Sequence, residues 1–345
     1  MKTSFRLLAA GLLLAVLTGC GGQTAEKEPE PKVTTKIENL TVEFAPGGNL
    51  ADKTTLLAPL SEKLQTALKA AGVEVEEVSI VLSTAPAATG QALEEGGVDA
   101  AFLPAEALAE FGGSAVPLLS AAWQEPSCDS GNPADWNGEE TSWTENWTAG
   151  QRVLLLAGPS EYGRNLAARA KSGTELTWEE LSKAGWGLSG GRADDMASLW
   201  LAERYEGKLL SALPDTVLFE SQDELLAALA EEKLDVIPMI ADDRIDAVEQ
   251  WMRSVSIGGW GRSGLIWDET TVIGVTERYY GTTAAVSTES AWSGETLSDA
   301  LSAALKSLAD DTEFSALAGA GPFSDIDGED LDPQRRLLVF SGKNR

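Results

Sequence analysis

The chain contains no histidine, and only 2 of its 345 residues are cysteines. Without His, the commonest general base and the commonest zinc ligand are both missing. Cys128 therefore has no imidazole to take its proton, which argues against a nucleophilic thiol. Cations are scarce too: 26 Lys and Arg stand against 54 Asp and Glu, a formal net charge of −28. That balance excludes a nucleic-acid partner, which needs a basic footprint. It also argues against a membrane surface protein held by charge; the acidity is read as solubility. No EF-hand loop with spaced carboxylates is present, so no metal is expected. Gly158 to Arg164 lacks the Gly-Lys-Ser/Thr ending of a phosphate loop. No base–nucleophile pair is recognisable. The expectation is a protein that is not an enzyme and carries no cofactor. Beyond the N-terminus, no apolar run is long enough to span a bilayer.

What is present begins with an address. Lys2 and Arg6 precede an apolar run from Leu7 to Leu17, then Leu17-Thr18-Gly19-Cys20. This resembles a bacterial lipobox, which implies a signal peptide over 1–19 and lipidation of Cys20. Lipid chains anchor a protein to the outer face of the cell membrane without making it span. With Cys20 lipidated, Cys128 has no disulfide partner. Residues 20–37, rich in Glu, Lys and Pro, form a flexible tether.

The folded part is organised around a repeated pattern. Glu94 to Glu106 has a helix end, a glycine turn, then the apolar run Ala100 to Leu103 closed by Pro104. Four apolar residues in a row fit a strand buried on both faces. Glu231 to Asp243 repeats the pattern around Asp235 and Pro238. Each copy follows a strand, a small polar turn and a helix. Two similar β-α-β units predict an α/β protein of two Rossmann-like lobes joined by a two-strand hinge. Residues 38–150 and 272–345 form lobe 1, and 151–271 form lobe 2. Val272 to Val275 and Thr282 to Val286 are expected as strands returning to lobe 1. Leu56, Leu57, Leu60, Leu64 and Leu68 recur at helical spacing, so 53–70 is an amphipathic helix. Gln124 to Gly150 is a long stretch dense in Trp, either an aromatic flap over the cleft or a pinned surface loop.

A cleft between lobes is where small ligands bind in such proteins. Three turns recur between a strand and a helix: Gly47-Gly48-Asn49, Ser83-Thr84, and Ser189-Gly190-Gly191-Arg192. Helix starts carry unpaired N–H groups and partial positive charge, so converging turns suit an oxyanion. The hydroxyls of Ser83, Thr84 and Ser189 add donors, and Arg192 adds a charge-assisted pair. Taken singly, each turn also fits simple helix capping. Asp242 and Asp243 are expected near the cleft mouth, as acceptors for a ligand amino group or as a solvated pair. Glu106 lies at the matching end of lobe 1, and Tyr279 and Tyr280 lie at the hinge.

The order of these features resembles the lipid-anchored substrate-binding proteins of ABC transporters, in the phosphate/phosphite/phosphonate-binding family. The pieces that carry it are LTVEFAPGGN, STAPAATGQALEEGGVDAAFLPAEAL, RVLLLAG, TWEELSKAGWGLSGG and TVIGVTERYYGTTAAV, across most of 38–320. The resemblance implies a type 2 periplasmic-binding-protein-like fold. It also implies a monomer that closes on a phosphonate-like oxyanion and delivers it to ABC permease subunits. The family's second-lobe turn is typically a Ser/Thr-rich run. Here Ser189 stands alone before Gly190-Gly191-Arg192. A cation held by Trp residues, or a sensor lipoprotein on the same fold, are the alternatives.

Overall fold

The computed structural model describes residues 35–45, 51–319 and 321–342. Cys20, Gly47, Gly48 and Asn49 lie outside them. Two mixed sheets form two lobes. The first runs in the order Phe323–Asp325, Ala115–Ala121, Thr282–Ser287, Ala100–Pro104, Thr35–Phe44, Val73–Leu82. Its last three strands are mutually parallel, and Thr282–Ser287 runs antiparallel to Ala100–Pro104. The second runs Thr216–Leu218, Trp186–Leu188, Val236–Ile240, Val153–Ala157, Thr271–Val275.

Apolar runs became central strands because both of their faces are covered. Ala100 to Leu103 are all buried, as are Val153 to Ala157. In the first lobe, Leu60, Leu64 and Leu68 of helix Leu57–Ala70 and Leu297, Leu301 and Leu305 of helix Glu295–Ser307 share one core. Phe44 and Phe102 stack there with ring centroids 4.4 Å apart, and Phe314 meets Phe102 edge-on. In the second lobe, alternate residues of Val153–Ala157 feed opposite cores. Leu154 and Leu156 join Trp136, Leu229 and Trp251, while Leu155 and Ala157 join Trp186 and Leu201. Among the described residues no helix is long and apolar enough to cross a membrane.

The hinge is a two-stranded ladder in which Gly150–Gln151 pairs antiparallel with Tyr279–Tyr280. This corrects one expectation. Thr271–Val275 does not return to the first lobe; it pairs with Val153–Ala157 at the edge of the second sheet. The chain therefore crosses back only after Val275, and Thr282–Ser287 alone makes the expected return. Both candidate strands are apolar and buried, so local sequence cannot distinguish their sheets; the pairing with Val153–Ala157 decides it.

The Trp-rich stretch is pinned by its own Trp residues, one of the two expectations, and it also carries regular structure. Trp123–Pro126 and Trp143–Thr148 form a hairpin, and Pro133–Asn137 a short 3-10 turn. Trp136 is wholly buried in the second lobe and donates to the Ser130 carbonyl. The Asn137 side chain accepts from Val272 N and donates to Val272 O, closing the sheet edge at that point. Asp129 binds Arg152 and Arg278, one on each crossing segment.

The C-terminal acidic stretch, which carries little pattern in sequence, ends in helix Asp332–Phe340. This helix packs against Ala105–Phe111 of one lobe and Arg192–Arg204 of the other. Arg336 pairs with Glu203 at 2.8 Å and with Glu277 at 2.5 Å.

Candidate functional site

The carboxyl ends of parallel strands are where open α/β sheets bind ligands. Here the ends of both sheets meet across the hinge. Glu106, in the first turn of helix Ala105–Phe111, follows strand Ala100–Pro104. Arg192 opens helix Arg192–Arg204 after strand Trp186–Leu188. The two side chains reach each other across the lobes, with Arg192 Nε 3.4 Å from Glu106 Oε1. Burial raises the Glu106 carboxyl above its ordinary range, and Arg192 only partly offsets it.

Aromatic rings floor this contact. Tyr279, from the hinge strand, is buried and donates to Gln151 Oε1 at 2.9 Å. The Arg192 guanidinium lies 6.0 Å from its ring centroid, at the outer limit of a cation–π contact. Trp123 sits 6.1 Å from the same ring. The hinge can bring these groups so close because residue 281 is glycine. A Cβ there would lie 2.6 Å from the Trp123 ring and 3.3 Å from Arg192 Nη1. Burial raises the Tyr279 hydroxyl, while Arg192 pulls it down and Asp243 and Glu106 push it up.

Among the described residues, Asp243 makes no side-chain hydrogen bond that would cap helix Arg244–Met252 or offset its burial. Its carboxyl is pushed up to about 7, first by burial and then by Asp246 and Asp242. Asp242 is placed quite differently from expectation. It is fully buried, away from the cleft mouth, and every partner it has is internal. Arg244 Nε donates to Oδ1 and Nη2 to Oδ2, each at 2.8 Å, and Thr141 Oγ1 donates to Oδ2 at 2.5 Å. Arg244, itself fully buried, also donates to the Trp136 carbonyl. The pair thus locks the Trp-rich stretch to the second lobe. Arg244, two residues on, was the signal for this inward pairing.

Among the described residues, parts of two expected oxyanion turns are engaged from within. Gly190 at φ +73° shapes the second-lobe turn. Its N–H and that of Ser189 both donate to Asp194 Oδ2, at 2.5 and 3.0 Å. A carboxylate of the chain stands where an external oxyanion was expected. Burial raises the Asp194 carboxyl against the pull of those two amides. Its other oxygen, Oδ1, is buried with no hydrogen-bond partner. Gly191 contributes the residue before the helix, without a side-chain cap. In the first lobe the Ser83 hydroxyl is engaged with Ala85 N and O, and Thr84 is exposed. Sequence reasoning missed Trp123 and Asp194. An acid in the first turn of a helix that follows a Gly-Gly turn is the signal that could have found Asp194.

Among the described residues no group of three His, Cys, Asp or Glu side chains could hold a metal. Cys128 is a free thiol that burial pushes up. A cavity of about 510 Å³ lies on the outer side of the second lobe, lined in part by Trp200, Arg204 and Tyr205. None of the inter-lobe residues line it.

Two sheet-centred lobes joined by a two-strand hinge define a type 2 periplasmic-binding-protein-like fold. The solved structure of the Mycoplasma hyorhinis protein Mh-p37 shares it: TM-score 0.50 at 11% identity, covering 89% of this chain and 98% of that one. PhnD1 from Prochlorococcus marinus, solved with methylphosphonate, aligns at TM-score 0.40 and 11% identity, over 89% and 99% of the two chains. The aliphatic sulphonate binding protein SsuA from Escherichia coli aligns at TM-score 0.39 and 11% identity, over 89% and 92%. No protein-family model matches the sequence, and no curated protein matches it.

Proposed function

We propose that this chain is the solute-binding component of an ABC importer, binding a small molecule between its lobes without transforming it. One observation carries the reading: Arg192 and Glu106, from different lobes, meet over the hinge residue Tyr279. An exposed Arg–carboxylate pair is worth about 1 kcal/mol or less. A solute can therefore displace it and bias the lobes by its own differential contacts. The fold supports the reading, because hinged lobes of this type suit capture and release. The lipobox pattern at Cys20 supports a lipid anchor on the outer face of a bacterial membrane. Delivery to permease subunits follows from that placement.

The phosphonate-like oxyanion implied by the sequence resemblance has weaker support than the binding role. Asp194 uses the amides that would hold it. The test of the binding role is a solute screen on the full chain, read by melting temperature and Trp fluorescence. A true ligand raises Tm, as any molecule that binds only the folded state does. Its affinity falls in Glu106→Gln and shifts in Arg192→Ala, which frees Glu106 of its internal partner. Ligands indifferent to both substitutions place the site elsewhere.

A further inference from the structure

We propose that the solute is an organic ammonium ion, seated over Tyr279 beside Trp123 and held by Glu106, where the Arg192 guanidinium now lies. The proposal rests on the solute-binding reading above and specifies the class of solute.

Three independent features lead there. First, the site already holds a cation. Arg192 occupies the space over Tyr279 and pairs with Glu106, so the chain's own guanidinium shows what charge that space accepts. Aromatic faces and carboxylates together are the surroundings an ammonium group favours.

Second, two of the second-lobe amide donors that an anion would need are taken. Ser189 N and Gly190 N donate to Asp194, and the Ser83 hydroxyl is bound to its own turn. An incoming anion would meet Glu106 with Arg192 in its favour, and Arg192 is already paired. A monoanion would have to break that pair and leave Glu106 uncompensated.

Third, one acceptor in the same helix start is unfilled. Asp194 is nine-tenths buried, and its Oδ1 has no partner among the described residues. It lies two residues from Arg192, in the first turn of the same helix. A buried acceptor left empty carries a desolvation penalty of about 1–3 kcal/mol. That oxygen is fully covered while Arg192 holds its place, so a ligand N–H reaches it only once Arg192 moves; an amine could then fill it, and an anion could not.

The experiment is isothermal titration of the full chain with ethylammonium, 2-aminoethanol and 1,4-diaminobutane, and with phosphate, methylphosphonate and methanesulfonate. Inter-lobe distance is followed in parallel by paired spin labels. The expected result is saturable binding of at least one amine, with a distance change, and no binding of the anions. Glu106→Gln should weaken amine binding about tenfold or more, the loss of one charge-assisted contact. Its partner is half-exposed, so this variant should fold normally, with an unchanged circular dichroism spectrum. Binding of an anion with a distance change, and of no amine, overturns the ammonium proposal and leaves the solute-binding reading standing. Amine binding unaffected by Glu106→Gln also overturns it. No binding by any probe, with no distance change, overturns both.

Discussion

Two Arg–carboxylate pairs, one inside the second lobe and one between the lobes, differ in their access to water. Asp242 and Arg244 are both 0% exposed and joined by two 2.8 Å hydrogen bonds. Arg192 and Glu106 are 40% and 39% exposed and 3.4 Å apart. The chemistry is the same, but water decides what each pair is for. In the first pair, removing one partner strands a charge in the core, so the pair is permanent. In the second, water screens the attraction and can take up either group, so the pair is exchangeable. The first fastens the Trp-rich stretch; the second spans the lobes and can be replaced by a solute.

The largest effect expected from breaking this contrast is at Arg244. Arg244→Ala should cost about 3–5 kcal/mol, because Asp242 keeps its charge with no cation beside it. Urea unfolding measures this. The double change Asp242→Leu with Arg244→Met should be less damaging than either single change, since no charge is then stranded. If the double variant is the worse one, the pair is not acting as an ionic fastener.

Trp136→Ala comes next, with a loss of about 3–5 kcal/mol for emptying a fully buried indole site. The loss should fall on the second lobe, visible as earlier hydrogen exchange in Val153–Ala157 and Thr271–Val275 than in the first sheet. Equal loss in both lobes would mean the Trp-rich stretch belongs to neither core in particular.

A smaller effect is expected at Asp243, and its sign is set by burial. Its folded carboxyl titrates near about 7, against an ordinary value of 3.8. The folded chain thus holds that proton more tightly than the unfolded chain does. The associated stability is fully present below about pH 4 and is lost as pH rises through about 7. Asp242 and Asp246 on its own segment reinforce the shift. Asp243→Asn should flatten that part of the stability–pH curve, measured by urea unfolding at a series of pH values.

The smallest stability effect is expected at Glu106. Glu106→Gln should change unfolding free energy by about 1 kcal/mol or less. A loss as large as that at Arg244 would erase the distinction between the two pairs.

Much of the fold was legible because burial on both faces leaves a plain mark. Ala100 to Leu103 and Val153 to Ala157 are continuous apolar runs, and the leucines of Leu57–Ala70 keep helical spacing. The assignment of Val272 to Val275 failed for a definite reason. A buried edge strand beside Val153–Ala157 has the same local pattern as a strand of the other sheet. The site was legible in part. The turn draws attention to Arg192 and the strand end to Glu106, but no local pattern shows that the two meet across the lobes. Between the adjacent acids Asp242 and Asp243, composition gives no reason to choose; the direction of Arg244 turns one inward. Asp194 was hidden because its role is to fill a turn that, in sequence, invites an external ligand.

The most direct measurement of the central claim is the distance between the lobes. Spin labels at Thr66 and Asp223, both exposed and one in each lobe, report it in a chain carrying Cys20→Ser and Cys128→Ser. The account predicts that a bound solute narrows and shifts the distance distribution, and that Arg192→Ala with Glu106→Gln broadens it without solute. A distribution identical in all these states, with a solute demonstrably bound, would contradict it.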